Sequence, residues 1–99
     1  MVPRIVNPLD EMLFKEVLKE QQKIRVYIEK ARYGKLKTII EGIDEKEFDL
    51  ESIAKKLKAK LACGGTVKKG RIELQGDHRE RVRKLLGDLG FSTDMIEVE

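Results

Sequence analysis

Between Ala54 and Arg83 the periodicity of the chain changes twice, and this restricts the fold more than any other feature. Ala54, Leu57 and Leu61 recur at helical spacing, then give way to Gly64-Gly65 and a basic turn, Lys68-Lys69-Gly70-Arg71. Residues 71–75 alternate, with Ile72 and Leu74 on one side. Gly76 bends the chain, and Asp77, with Glu80 three residues on, has capping-box spacing for a second helix. A helix with one apolar stripe and a strand with one apolar side cannot bury those faces alone. Their combination predicts helices packed on a sheet.

The flanking sequence extends that sheet. Residues 23–30 alternate, with Ile24, Val26 and Ile28 on one side and Arg25, Tyr27 and Glu29 on the other. Residues 36–43 are β-branched, and the Ile39-Ile40 pair breaks the alternation, which implies a bulge or burial on both sides. Gly34 supplies the positive φ of a tight hairpin between these two strands. Asp49 is placed to cap a helix whose stripe is Leu50, Ile53, Ala54, Leu57 and Leu61, with Phe48 and Ile53 at staple positions. The second helix has Val82, Leu85, Leu86 and Leu89 as its stripe, an internal Gly87 that close packing would explain, and Gly90 as its stop. Residues 93–98 read as a last strand with Ile96 and Val98 inward. The expected fold is an α+β two-layer sandwich, with two helices on one face of a mixed sheet of about five strands. It comprises one domain over residues 23–99, preceded by an extension over residues 1–22. That extension has a proline-containing tail (1–8) and a short helix (9–22) with Leu9, Met12, Leu13, Val17 and Leu18 at helical spacing.

Little in the chain suggests catalysis. One cysteine, Cys63, excludes an internal disulfide, and its apolar Leu-Ala-Cys setting reads as a small core residue. The one histidine, His78, opens a helix beside Arg79, where exposure or ligand contact suits it better than a role as base. No ligand spacing supports a metal site, and Gly64-Gly65-Thr66 lacks the phosphate-loop pattern. The residues therefore predict no enzyme, no cofactor and no metal. They contain no bilayer-length apolar run and no charged-then-apolar leader, so the expected setting is cytoplasmic, without a membrane.

The basic groups point elsewhere. With 21 basic and 18 acidic residues the net charge is only +3, so distribution matters more than total. Acid collects at Asp44, Glu45, Glu47, Asp49 and Glu51. Base collects at the hairpin (Lys30, Arg32, Lys35, Lys37), on the first helix (Lys55, Lys56, Lys58, Lys60), and at the turn (Lys68, Lys69, Arg71). The expectation is that these three clusters converge into one cationic surface that neutralises phosphates. Tyr27 and Tyr33 are too few rings for a single-strand stacking platform, which favours contact with the shape and backbone of folded RNA. A merely solvated basic face, a general RNA-binding domain, and a module for an acidic small molecule stand as alternatives.

Three segments carry a resemblance: Arg32-Tyr33-Gly34-Lys35-Leu36-Lys37-Thr38-Ile39-Ile40-Glu41-Gly42, Leu61-Ala62-Cys63-Gly64-Gly65-Thr66-Val67 and Leu74-Gln75-Gly76-Asp77-His78-Arg79. Together, in this order and spacing, the chain resembles the small translation initiation factor one family of archaea and eukaryotes, most closely an archaeal member. The resemblance implies a non-catalytic monomer that binds rRNA of the small ribosomal subunit near the decoding site. Initiator tRNA and mRNA would lie nearby, and other initiation factors could join. Such a protein favours an open, initiator-accepting state and discriminates against wrong start codons. Carried over, Arg32, Tyr33, Gly34 and Lys35 face the region of codon–anticodon pairing. Lys55, Lys56, Lys58 and Lys60 hold rRNA phosphates, Lys68 to Arg71 lie towards initiator tRNA, and Lys37, His78 and Arg79 complete the RNA-facing set.

Overall fold

The computed structural model describes residues 23–99. The expected tail and helix over residues 1–22 lie outside the described residues. β1 (Ile24–Lys30) and β2 (Leu36–Glu41) form an antiparallel hairpin through a 3-10 turn at Arg32–Gly34. α1 (Leu50–Leu61) leads to β3 (Gly65–Lys68), which turns into β4 (Arg71–Gln75). α2 (Arg79–Asp88) is followed by a 3-10 turn at Thr93–Met95 and by β5 (Ile96–Val98). The five strands make one sheet in the order β3-β4-β2-β1-β5. β5 runs parallel to β1 and the other pairs are antiparallel, so the sheet is mixed, as the alternating pattern led one to expect.

A single core joins Ile24, Val26, Ile40, Ile72, Leu74 and Ile96 of the sheet to Leu50, Ala54, Leu57 and Leu61 of α1 and Val82 and Leu86 of α2. Both helices therefore cover the same face. Asp49 caps α1, its Oδ1 accepting from the backbone N–H groups of Glu51 and Ser52. α2 ends as its sequence demands: Gly90 at φ +102° lets its own N–H reach the Gly87 carbonyl and the Phe91 N–H reach Leu86. A Cβ at Gly87 would stand 2.9 Å from Thr93 Cγ2, so close packing does account for that glycine.

One open reading is settled and two others need correction. Of the two readings of Ile39-Ile40, burial on both sides holds and the bulge does not: the β1–β2 ladder is continuous from Arg25↔Glu41 to Lys30↔Leu36 and the pair is buried on opposite faces. The last strand covers only Ile96–Val98, because residues 93–95 form a 3-10 turn packed beside α2. Asp77 does not close a capping box. The residue flanking α2 is His78, without a side-chain cap; the Asp77 carboxylate is shared between the Arg79 guanidinium at 2.9 and 3.0 Å and, at 3.4 Å, the Arg79 backbone N–H.

Candidate RNA interface

The β1–β2 hairpin projects the most exposed groups. Its tip is closed by the Ala31 N–H donating to the Lys35 carbonyl at 2.6 Å. Tyr33 (φ 63°) and Gly34 (φ 72°) both adopt left-handed backbone. Glycine does so freely, whereas a bulky residue such as Tyr33 rarely does. The Tyr33 ring is 94% exposed. Arg32 and Lys35 beside it are exposed, and among the described residues neither side chain forms an ion pair.

Lys37 and Arg71 have other commitments. The sheet face away from the helices is covered by a polar lattice, beneath which Ile39 is fully buried. At its centre Glu73 accepts from Lys37 Nζ at 2.8 Å and from Arg71 Nη2 at 3.2 Å. Arg71 also reaches the Tyr27 hydroxyl at 3.2 Å and Glu29 at 3.5 Å, and Arg25 bridges Glu41 and Glu99. The Lys37 ammonium, and then Arg71, hold the Glu73 carboxyl below the usual carboxylate range despite burial. Burial, then the neighbouring Glu41 carboxylate, raises the Tyr27 phenol.

Strand register fixes where the remaining cations lie. Lys37 pairs with Gln75 and Ile40 with Ile72, so the end of β4 lies beside the start of β2, at the hairpin-tip end of the sheet. The β3–β4 turn joins Lys68 to Arg71 at the other end of β4. Lys68 and Lys69 are therefore at least about 17 Å from the tip, taking five strand steps. They lie instead beside the acidic loop, where the Glu45 carboxylate comes within 3.6 Å of the place a Cβ on Gly70 would take. The expected single surface is thus corrected: the antiparallel register sends the second turn to the opposite end. α1 runs back towards the tip end, carrying exposed Lys60 and half-buried Lys58, whose Nζ reaches the Gly65 carbonyl at 3.5 Å. Lys55 and Lys56 stand exposed on its outer face. Arg81 of α2 donates to the Lys60 carbonyl, bringing the start of α2 to the same end.

Comparison with known proteins decides the family. The family model for translation initiation factor SUI1 matches residues 20–92. The protein translation factor SUI1 homolog of Thermococcus onnurineus is 91% identical over 98 residues, spanning 99% of this chain and all of that protein. The corresponding homolog of Pyrococcus horikoshii is 85% identical over 99 residues, the full length of both. That of Methanothermobacter thermautotrophicus is 50% identical over 91 residues, 92% of this chain and 90% of that protein. The chain belongs to the SUI1 family. The family is one of translation factors rather than enzymes, and the resemblance read from the sequence is borne out.

Within this SUI1 chain the three signature segments meet at the tip end of the sheet. The Gly76 N–H donates to the Leu36 carbonyl at 2.8 Å and the Gln75 N–H to the Gly64 carbonyl at 2.9 Å. Thr38 Oγ1 donates to the Gly76 carbonyl at 2.7 Å and accepts from the His78 N–H at 2.9 Å, stitching the β4–α2 corner to β2. His78 is half-buried with Nε2 turned to the Gln75 carbonyl at 2.8 Å, and Arg79 holds Asp77 and the Glu99 carbonyl. These two side chains are tied into the SUI1 fold. Burial raises the Cys63 thiol, in keeping with a structural cysteine. Sequence reasoning missed Glu73 and Thr38, which organise the outer face and the corner. For Glu73 the available signal was a carboxylate two residues from Arg71 in a strand with apolar neighbours. Thr38 gave none.

Proposed function

We propose that this SUI1-family chain binds the small ribosomal subunit near the decoding site, favours the open, initiator-accepting state and enforces start-codon choice. The supporting observation is Tyr33. A large ring standing 94% in solvent, at positive φ, between two cations without partners among the described residues, is a costly arrangement for a free protein. A strained, exposed loop tip on a rigid scaffold suits contact with a partner. Arg32, Lys35, Lys55, Lys56 and Lys60 neutralise rRNA phosphates, and Lys58 supports them. Lys37, Arg71, His78 and Arg79 hold the shape of that surface through their internal bonds. Lys68 and Lys69, at the far end, reach a separate element, on the side of initiator tRNA.

Selection is a difference of free energies. The tip occupies space that a fully seated tRNA needs, and only correct codon–anticodon pairing is favourable enough to displace it. The protein acts as a cytoplasmic monomer near mRNA and initiator tRNA, with other initiation factors, through residues 23–99 as one unit after an extension over 1–22. Among the described residues no helix is long and apolar enough to cross a membrane.

The test is binding to isolated small subunits, with initiator tRNA on matched and mismatched codons. Expected is binding that mispaired tRNA tolerates better than matched tRNA. Binding indifferent to tRNA supports a general RNA-binding domain instead, and absence of binding removes the reading. Lys55→Glu with Lys56→Glu should weaken subunit binding with an unchanged fold. Unchanged affinity at moderate salt removes the helix face from the interface.

A further inference from the structure

At the end of the sheet opposite the hairpin tip, α1 begins and α2 ends side by side, with a shallow cleft of about 150 Å³ between them. Its lining is mainly apolar: Phe48 and Ile53 on the α1 side, Leu89 and Phe91 on the α2 side. The Phe48 and Phe91 rings meet edge to face, with centroids 5.4 Å apart. Phe91 is buried, whereas Phe48, Ile53 and Leu89 are half-buried, so the core reaches the surface here. The cleft is smaller than the roughly 300–1,000 Å³ of a small-molecule site. An apolar space of about 150 Å³ holds one benzene-sized ring. The rim carries exposed Lys56 on α1 and, leading into Phe48, the exposed carboxylates Glu45 and Glu47. Asp49 also borders the cleft, but its Oδ1 is committed to capping α1.

The chain enters the fold at this same end. The Lys23 carbonyl lies against Gly42, and Ile24 pairs with Ile96. Ahead of Lys23, the sequence places Leu13, Phe14, Val17 and Leu18 within a sector of about 140° at helical spacing. Glu16 and Glu20 border that sector on one side, and Lys15 and Lys19 fall away from it. Leu18 is five residues from Lys23, a reach of at most about 17 Å, which keeps it at this end. The nearest apolar surface to such a segment is the cleft where the core opens. We propose that residues 9–22 of this same chain lie over the α1–α2 cleft as an amphipathic strap, with the Phe14 ring in the cleft, Val17 and Leu18 against Phe48 and Leu89, and Glu16 and Glu20 towards Lys56. A short helix is marginal alone and gains its stability from packing one face. Tethering favours this occupant over a second copy, because a short linker gives an effective concentration of about millimolar. The inference does not depend on the RNA-binding reading.

The experiment uses the full chain in two NMR samples, one uniformly isotope-labelled and one an equal mixture of labelled and unlabelled chains. Expected in the first are nuclear Overhauser contacts from Phe14, Val17 and Leu18 to Phe48, Leu89 and Phe91, with none between chains in the second. Contacts between chains assign the cleft to a second copy and overturn the proposal, as does the absence of any contact from residues 9–22. Phe14→Asp with Leu18→Asp alters only the extension, so the sheet and helices still form. That variant should abolish the contacts, shift the Ile53 and Leu89 methyl resonances, and lower the urea midpoint by roughly 0.5–1 M. An unchanged midpoint overturns the proposal, because a strap that buries apolar surface must contribute to stability. None of these readouts involves the ribosome, so their failure leaves subunit binding standing, which the Lys55 and Lys56 variants test separately.

Discussion

Glu73→Gln isolates the charge at the centre of the polar lattice, because glutamine keeps the shape that covers Ile39. The Glu73 side chain is 8% exposed, against 27% for Lys37 and 30% for Arg71. Exposed pairs contribute about 0–1 kcal/mol, whereas breaking a buried pair by removing one partner costs about 3–5 kcal/mol. A buried carboxylate with half-shielded partners falls between, at about 2 kcal/mol. After substitution the only charged partner left to Lys37 and Arg71 among the described residues is Glu29, at 4.0 and 3.5 Å, with Arg71 still on the Tyr27 hydroxyl. For a domain of this size the loss corresponds to roughly 8–16 °C in Tm. Urea unfolding of both proteins across pH is the assay, with a shared m-value required for comparison. The folded-state pKa of Glu73 is depressed, so its contribution is complete above the unfolded-state value and is lost as pH falls through the folded-state value. The stability gap between wild type and Glu73→Gln should therefore be full at neutral pH and close in acid. A gap below about 0.5 kcal/mol at neutral pH, or one that does not shrink on acidification, refutes the account of Glu73 as the hub.

Other outcomes follow from the same geometry. Asp49→Ala should cost about 1 kcal/mol by removing the cap of α1, while Asp77→Ala should cost α2 less than that in the same urea series, since its carboxylate meets the first N–H of α2 only at 3.4 Å and is held mainly by the Arg79 guanidinium. Gly87→Ala should fail to deliver the helix gain of about 1 kcal/mol because of Thr93 Cγ2, and Thr93→Ser in the same chain should restore it in a denaturation series. Leu86→Ala, fully buried in α2, should destabilise by about 2–5 kcal/mol in the same measurement. Charge-removing changes at Arg32 and Lys35 should alter start-site choice in a reporter assay more than they alter subunit affinity, and the reverse result reassigns the tip to simple anchoring.

Much of the fold was legible because each element states its own period. The stripe of α1, the alternation of β1 and the Gly90 stop depend on neighbours within one or two turns, so reading them needed no knowledge of distant chain. The misread places are those where side-chain bonding, rather than spacing, decides the outcome. Asp77 has capping-box spacing, but the Arg79 guanidinium, itself pinned to the Glu99 carbonyl, takes its carboxylate. The candidate interface divides in the same way. Exposure of Tyr33, Lys55 and Lys56 follows from hairpin and helix geometry. The fate of Lys37 and Arg71 depends on which strands become neighbours, and β4 lies beside β2 through a pairing some 35 residues apart in sequence, as in Lys37↔Gln75 and Ile40↔Ile72.

The sequence by itself determined the elements, their apolar faces, the family likeness and the solvent-facing cations, because backbone preference and side-chain period act over a few residues. Only the tertiary structure decided that the basic clusters do not share one surface. An antiparallel register sends alternate turns to opposite ends of a sheet, so Lys68 and Lys69 part from the hairpin tip, while the corner at Thr38, Gly76 and His78 and the Gln75–Gly64 bond draw three separate segments together. Order along the chain carries the local physics. Which ends meet is set by the burial of Ile40, Ile72 and Leu74 in one shared core, and no short stretch of sequence contains that information.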